Sequence, residues 1–136
     1  MNTLKDINIE ESEMNMAPAV HFSVESGVCE IVGGSYMGNP PVFYKPLYEW
    51  IQKFVELEKP IMLNMRMEGF NTSTSKSLLE IFTLLKLLKD KGAEVTVRWF
   101  YDPENDDVKE EVEDLEYEAL LQIEHVLVES VDDDEN

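Results

Sequence analysis

The sequence predicts a single α/β domain with the element order ββαβαβαβ and with helices mainly on one face of a mixed sheet. Two strand segments, 61–68 and 94–99, alternate apolar and polar residues. Parallel strands that are covered on both faces read instead as continuous apolar runs, so one face of this sheet is expected to be polar and accessible. Long segments of helical spacing separate the strands, which indicates parallel pairing in the centre.

The first half of the chain predicts an N-terminal arm, a hairpin and a helix. Residues 1–17 are polar and are expected to form a flexible arm ahead of a domain at 18–129. Residues 21–24 and 28–32 read as a hairpin, and turn residues fill the loop 33–41. The next segment has one apolar stripe at helical spacing, which predicts a helix: Phe43, Leu47, Trp50, Ile51, Phe54 and Leu57.

The second half predicts three more strands and two more helices. After the strand 61–70, a broad leucine-rich stripe predicts a helix over 73–90, and Gly92 stands where a C′ glycine belongs. A strand ends near Tyr101, and an acidic helix follows to about residue 117. For the segment 120–128 the sequence favours a closing strand, with a helix as the alternative.

Charge restricts the possible partners. The formal net charge is −18, and residues 101–136 hold sixteen of the 29 acidic side chains. Such a charge opposes binding to nucleic acids and to anionic membranes. Residues 130–136 are expected to be an acidic disordered tail, with a cation site or a basic patch on a partner as the alternatives. The N-terminus lacks a signal peptide and no apolar run reaches the ~18 residues of a membrane span, so a cytoplasmic protein is expected.

Groups that could perform catalysis are sparse. His21 and His125 lie far apart in strand-like segments, and Cys29 is the one cysteine and is expected to be a packed thiol. The nucleophile elbow, zinc and Walker patterns are missing from the sequence. We therefore expect no catalytic residues, no metal and no cofactor.

Four hydroxyl residues mark the start of the second helix. Thr72, Ser73, Thr74 and Ser75 precede Lys76 at the strand-to-helix junction. A helix start offers unpaired N–H groups and a positive dipole end, which favour an oxyanion. Two interpretations follow: the hydroxyls only cap the helix, or one of them accepts a phosphoryl group that would block a partner by charge and bulk.

Three collinear blocks resemble one protein family. They are LNMRMEGFNTSTSKSLLEIF at 63–82, Gly34-Ser35-Tyr36 with Asn39, and VRWFYD at 97–102 with Asn105. Together these blocks, in order between about residues 19 and 128, resemble the SiaC-type regulatory phosphoproteins of bacteria.

The resemblance implies a STAS-like fold and a phosphorylation switch. By position, the acceptor threonine is Thr72, with Ser73 as the reserve, and Asn71 and residues 73–76 surround it. The resemblance also implies a cognate Ser/Thr kinase, a PP2C-type phosphatase, and a diguanylate cyclase that the unphosphorylated form activates in cyclic-di-GMP signalling and biofilm behaviour. Ser35, Tyr36 and Asn39 are the expected partner contacts. An interaction scaffold without a switch and an anti-sigma-factor-antagonist-like regulator remain alternatives.

Overall fold

A computed structural model describes residues 3–128 of the chain and contains a six-stranded mixed sheet with three α-helices. The strands are β1 (Ile7–Ile9), β2 (Ala19–Phe22), β3 (Val28–Val32), β4 (Ile61–Arg66), β5 (Val95–Tyr101) and β6 (Glu124–Leu127). The helices are α1 (Pro40–Phe54), which continues into a 3-10 turn (Val55–Leu57), α2 (Thr72–Asp90) and α3 (Asp106–Ala119).

The strands lie in the sheet in the order in which they occur along the chain. β1, β2 and β3 pair antiparallel, and β3, β4, β5 and β6 pair parallel. Each parallel connection passes through a helix and steps in the same direction, and such crossovers are right-handed. The three helices therefore lie on one face, where α2 packs between α1 and α3. The prediction of helices on one face of a mixed sheet is confirmed.

The predicted flexible arm is wrong for the described part of residues 1–17. Ile7 pairs with Phe22 and Ile9 with Val20, so the arm supplies an edge strand that the predicted order lacked. Farther along, Ser12 and Ala17 form a second small antiparallel bridge. Three residues are too short to show an alternation in the sequence, and the polar residues around them conceal the strand.

The bounds of several helices and strands differ from the predicted ones. α1 begins at Pro40, three residues before the first residue of the predicted apolar stripe, and Pro46 lies inside the helix. β4 ends at Arg66, although Phe70 still bridges to Ser35. The closing segment is a strand, as predicted, but it covers only the four residues Glu124–Leu127. Leu120 adopts a left-handed conformation (φ 55°) that ends α3. The predicted tail, 130–136, lies outside the described residues.

The two faces of the sheet differ as the alternation predicted. On the helix side the strand residues are buried in one core, whose largest fully buried side chain is Trp99. On the open side the register aligns one polar row across all six strands: Asn8, His21, Glu30, Asn64, Arg98 and Glu124. In the described part of the chain, none of the helices is both long and apolar enough to cross a membrane.

Candidate functional site

The four hydroxyls lie at the carboxyl edge of the parallel strands, where β4 leads into α2. The loop after β3 reaches the same edge, because the Ser35 N–H donates to the Gly69 carbonyl oxygen (3.2 Å) and the Asn71 N–H to the Ser35 carbonyl oxygen (3.0 Å). In open α/β sheets this edge is the usual place for a functional site.

The cap of α2 is Asn71, not a hydroxyl residue. Its side-chain oxygen accepts a hydrogen bond from the Thr74 N–H at 2.8 Å, and its side-chain amide donates to the Met37 carbonyl oxygen at 3.0 Å. The backbone of Asn71 is extended (φ −87°, ψ 173°), as an N-cap requires. The interpretation that the hydroxyls serve to cap the helix is therefore wrong, because Asn71 occupies the N-cap position and its side chain makes the capping hydrogen bond.

The third hydroxyl, Thr74, is a structural residue. It is fully buried, lies 2.8 Å from the Ser35 hydroxyl and donates to the Ser35 carbonyl oxygen at 3.1 Å. The Tyr44 hydroxyl donates in turn to the Ser35 hydroxyl at 2.9 Å. Burial raises the pKa of Tyr44 to about 12, although the Ser35 hydrogen bond acts in the opposite direction. This chain of hydroxyls fixes α1, α2 and the loop after β3 to one another.

Thr72 and Ser73 differ from Thr74 because both are exposed. Among the described residues, the Thr72 hydroxyl has no hydrogen-bond partner, and neither do the N–H groups of Thr72 and Ser73. The first turn of α2 holds no acidic residue. Lys76, one turn further on, is exposed, and Ser75 is half-buried. The helix start thus combines free hydroxyls, free N–H groups and an uncompensated positive dipole end.

The predicted partner contacts separate into two kinds. Ser35 is fully buried and cannot contact a partner, because its hydroxyl is enclosed between Tyr44 and Thr74. Tyr36 is half-exposed and Asn39 is exposed, so both remain accessible. The Tyr36 ring lies against Gly69, where any Cβ would collide with the tyrosine hydroxyl.

An acidic concavity of about 380 Å³ lies beside Tyr36 and the end of β4. Glu68 and the first two turns of α3 supply its carboxylates. Glu111 carries a raised pKa, caused first by partial burial and then by the negative charges of Asp107 and Asp114. This region therefore holds more negative charge than the start of α2 does.

The two other candidate groups, His125 and Cys29, have structural roles. His125 lies 2.8 Å from the Tyr101 hydroxyl and 2.7 Å from Glu116, which joins β5, β6 and α3. The thiol of Cys29 is buried, as predicted, and burial raises its pKa. Within residues 3–128, no group of three or more His, Cys, Asp or Glu side chains is placed to hold a metal ion.

Sequence reasoning missed the roles of Tyr44 and Thr74. One signal was present for Thr74, which precedes Leu78, Ile81 and Leu85 by four, seven and eleven residues. These spacings place all four side chains on one face of a helix. By the same helical periodicity, Thr72 lies on the opposite, solvent-facing side of α2. Nothing in the sequence indicated the partner of Tyr44.

Fold and site together define a small α/β protein with a mixed sheet, helices on one face and two exposed hydroxyls at a helix start. A family model described as "SiaC family regulatory phosphoprotein" matches residues 9–128, and the chain belongs to that family. This confirms the resemblance of the three sequence blocks. An uncharacterized protein of Pseudomonas aeruginosa (strain UCBPP-PA14) is 28% identical over 112 residues, which cover 82% of this chain and 87% of that protein.

Solved structures agree on the fold. The crystal structure of apo-SiaC from Pseudomonas aeruginosa matches with a TM-score of 0.80 and 24% identity, over 89% of this chain and 98% of that one. SiaC also matches in the crystal structure of the diguanylate cyclase SiaD in complex with its activator SiaC, from the same organism. There the TM-score is 0.83 and the identity 25%, over 90% of this chain and 100% of that one.

Proposed function

We propose that this chain is a non-enzymatic cytoplasmic regulator whose binding to a diguanylate cyclase is switched by reversible phosphorylation of Thr72. The unphosphorylated form binds and activates the cyclase. A cognate Ser/Thr kinase adds the phosphoryl group and a PP2C-type phosphatase removes it. Membership of a family of regulatory phosphoproteins and the likeness to SiaC, which forms a complex with a cyclase, support the proposal.

The contrast between Thr72 and Thr74 carries the choice of acceptor. A kinase must reach the hydroxyl, and Thr72 is exposed whereas Thr74 is fully buried. A phosphoryl group on Thr72 would add roughly −1.5 to −2 charges and three acceptor oxygens. The unpaired N–H groups at the start of α2 would receive them without unfolding the helix. Ser73 is exposed too and is the alternative acceptor.

Intact-mass analysis of protein isolated from its native cells tests the modification. We expect a species heavier by about 80 Da, one phosphoryl group, that is lost in Thr72→Ala and kept in Ser73→Ala. Loss in Ser73→Ala alone would move the acceptor to Ser73. Persistence of the heavier species in both single variants would exclude both hydroxyls as the sole acceptor.

Binding measurements test the switch. Thr72→Ala should retain the affinity for the cyclase that co-purifies from native cells, and Thr72→Glu should weaken it, since Glu supplies negative charge and bulk. If both variants bind every native partner as wild type does, the chain is a constitutive interaction domain and the switch is wrong.

A further inference from the structure

The two arginines of this sequence lie together on the open face of the sheet. Arg66 is the last residue of β4, and Arg98 lies in β5. Both stack on Phe100, whose ring centre is 3.9 Å from the guanidinium carbon of Arg66 and 5.2 Å from that of Arg98. Stacking on an aromatic ring orients a planar guanidinium and leaves its N–H edge able to bind other groups.

Each guanidinium is fixed at its inner nitrogen. Arg66 Nε donates to Glu30 and Arg98 Nε to the Asn64 side-chain oxygen, both at 3.0 Å. The hydrogen bonds of both arginines to residues 3–128 are made through Nε. Their Nη groups are therefore available to a ligand, and Arg66 is exposed. Oriented guanidiniums of this kind match the paired oxygens of a carboxylate.

Two carboxylates of the same face lie nearby and leave these donors available. Glu30 contacts Arg66 through Nε alone. Glu124 is the neighbour of Arg98 in register, but Arg98 forms no ion pair with a described residue. Two arginines and two glutamates make this part of the face neutral. It therefore repels an acidic segment less than α3 does, because α3 carries eight acidic residues and one lysine.

We propose that Arg66 and Arg98 form a carboxylate-binding site and that its ligand is the acidic segment 129–136 of the same chain. This segment has the sequence ESVDDDEN, with five acidic residues and no basic one. Its carboxylates bind the Nη groups beside Phe100. The segment then covers the open face of the sheet, so that another anion gains access to the site only by displacing it. This site does not depend on the proposed function.

The described part of the chain ends close to the two arginines. The Val128 N–H donates to the Tyr101 carbonyl oxygen at 3.0 Å, and Val126 is aligned with Phe100 in the register of β5 and β6. Neighbouring strands are about 4.8 Å apart, so β4 lies about 10 Å from β6. Asp132 follows Val128 by four residues, which span up to about 13 Å. Asp132 and the two aspartates after it can therefore reach both guanidiniums.

The covalent connection favours this segment over other anions. A ligand tethered by a few residues has an effective concentration in the millimolar range, so weak individual ion pairs suffice to hold it. The same segment of a second copy has the same chemistry but lacks this advantage. Nucleic acids and anionic membranes are opposed by the net charge of −18.

The Nε–Hε signals in a ¹⁵N NMR spectrum test the site directly, since the sequence supplies one such signal from Arg66 and one from Arg98. Arg66→Lys and Arg98→Lys assign them. The full chain is compared with a variant that combines Asp132→Asn, Asp133→Asn and Asp134→Asn. We expect both signals to shift between the two proteins. Raising salt to about 1 M should remove most of that difference, because charges are then screened beyond roughly 3 Å.

A matched control removes three charges from the other side of the sheet. Glu110→Gln, Asp114→Asn and Glu118→Gln together neutralise three exposed acidic residues of α3. This variant should leave both arginine signals in place. Circular dichroism of each variant checks that the fold is retained.

Relaxation of the backbone amides at 132–134 gives the reverse measurement. These amides should show less picosecond–nanosecond motion in wild type than in the double variant Arg66→Gln, Arg98→Gln. If the double variant fails to fold, the comparison with the triple asparagine variant still decides, because its substitutions lie outside the described domain.

Each other outcome overturns the assignment. Arginine signals that are unchanged in the triple asparagine variant would show that the segment does not bind them. Equal shifts in the α3 control would trace to the long-range field of the chain and not to contact. Shifts that depend on protein concentration would assign the site to the segment of a second copy. Shifts that arise only when a co-purified partner is added would assign it to an acidic segment of that partner.

Discussion

The starts of α2 and α3 share one capping device and differ in charge. Asn71 and Asn105 each accept a hydrogen bond from the backbone N–H three residues on, at 2.8 Å and 3.2 Å. The first turn of α3 then carries Asp106 and Asp107, whereas the first turn of α2 carries no acid. Both starts lie at the same edge of the sheet, so their chemistry can be compared directly.

The difference in charge supports the proposal that the start of α2 receives a phosphoryl group. Carboxylates near a helix N-terminus stabilise the helix by offsetting its dipole, and α3 has them permanently. In α2 two hydroxyls, Thr72 and Ser73, stand where a charge would be favourable and none is present. A phosphoryl group would give α2 what α3 already has, and it could be removed again.

The largest expected effect concerns the buried hydroxyl that anchors α2. Thr74→Val keeps the shape of the side chain but leaves the Ser35 carbonyl oxygen without one donor and the Ser35 hydroxyl without one partner. We expect a loss of about 1–3 kcal/mol in the free energy of unfolding. Thr72→Val, the matched control at an exposed site, should change it by less than about 0.5 kcal/mol. Urea denaturation measures both, and equal losses would mean that the buried network does not anchor the helix.

The two caps should differ in strength. Asn71→Ala should cost about 1–2 kcal/mol, since it removes both the cap and the bond to the Met37 carbonyl oxygen. Asn105→Ala should cost about 0.5–1 kcal/mol, because its side-chain amide lies a long 3.5 Å from the Glu68 carbonyl oxygen. The same denaturation experiment gives both values. A larger loss at Asn105 would reverse this ranking.

Charge substitutions at the two helix starts should act in opposite directions. Thr72→Asp adds a carboxylate to the first turn of α2 and should stabilise the protein by about 0.3–1 kcal/mol, relative to the neutral Thr72→Asn. Asp106→Asn removes one from α3 and should destabilise it by a similar amount, about 0.3–1 kcal/mol. Both effects should shrink when salt is raised to about 1 M, where charges are screened beyond roughly 3 Å. A destabilising Thr72→Asp would contradict an uncompensated dipole at this site.

The helices and strands could be predicted from the sequence better than the contacts between them. Apolar periodicity predicted α2 almost to the residue, because a 19-residue helix with a buried face repeats its signal many times. The cap could not be assigned in the same way. Asn71 and Thr72 both belong to the residue types that cap helices. The choice depends on the bond from the Asn71 N–H to the Ser35 carbonyl oxygen, a contact 36 residues away in sequence. β1 escaped prediction for a similar reason, since its pairing with β2 and not its composition makes it a strand.

The smallest effect tests whether α3 has more negative charge than its dipole requires. Partial burial and the charges of Asp107 and Asp114 raise the pKa of Glu111 above the usual 4.5. A carboxyl whose pKa is higher in the folded state than in the unfolded state binds its proton more tightly when the protein is folded, so protonation stabilises the folded state. Its ionisation therefore opposes folding progressively as pH rises through 4.5 toward the folded pKa, and by a constant amount above it. Glu111→Gln should raise the Tm near pH 7, and this gain should vanish as pH falls below 4.5. Glu80→Gln, at an exposed site in the middle of α2, controls for the loss of one negative charge from the molecule. A gain from Glu111→Gln that stays the same at all pH values would trace to packing, and the excess of negative charge in α3 would then not be the cause.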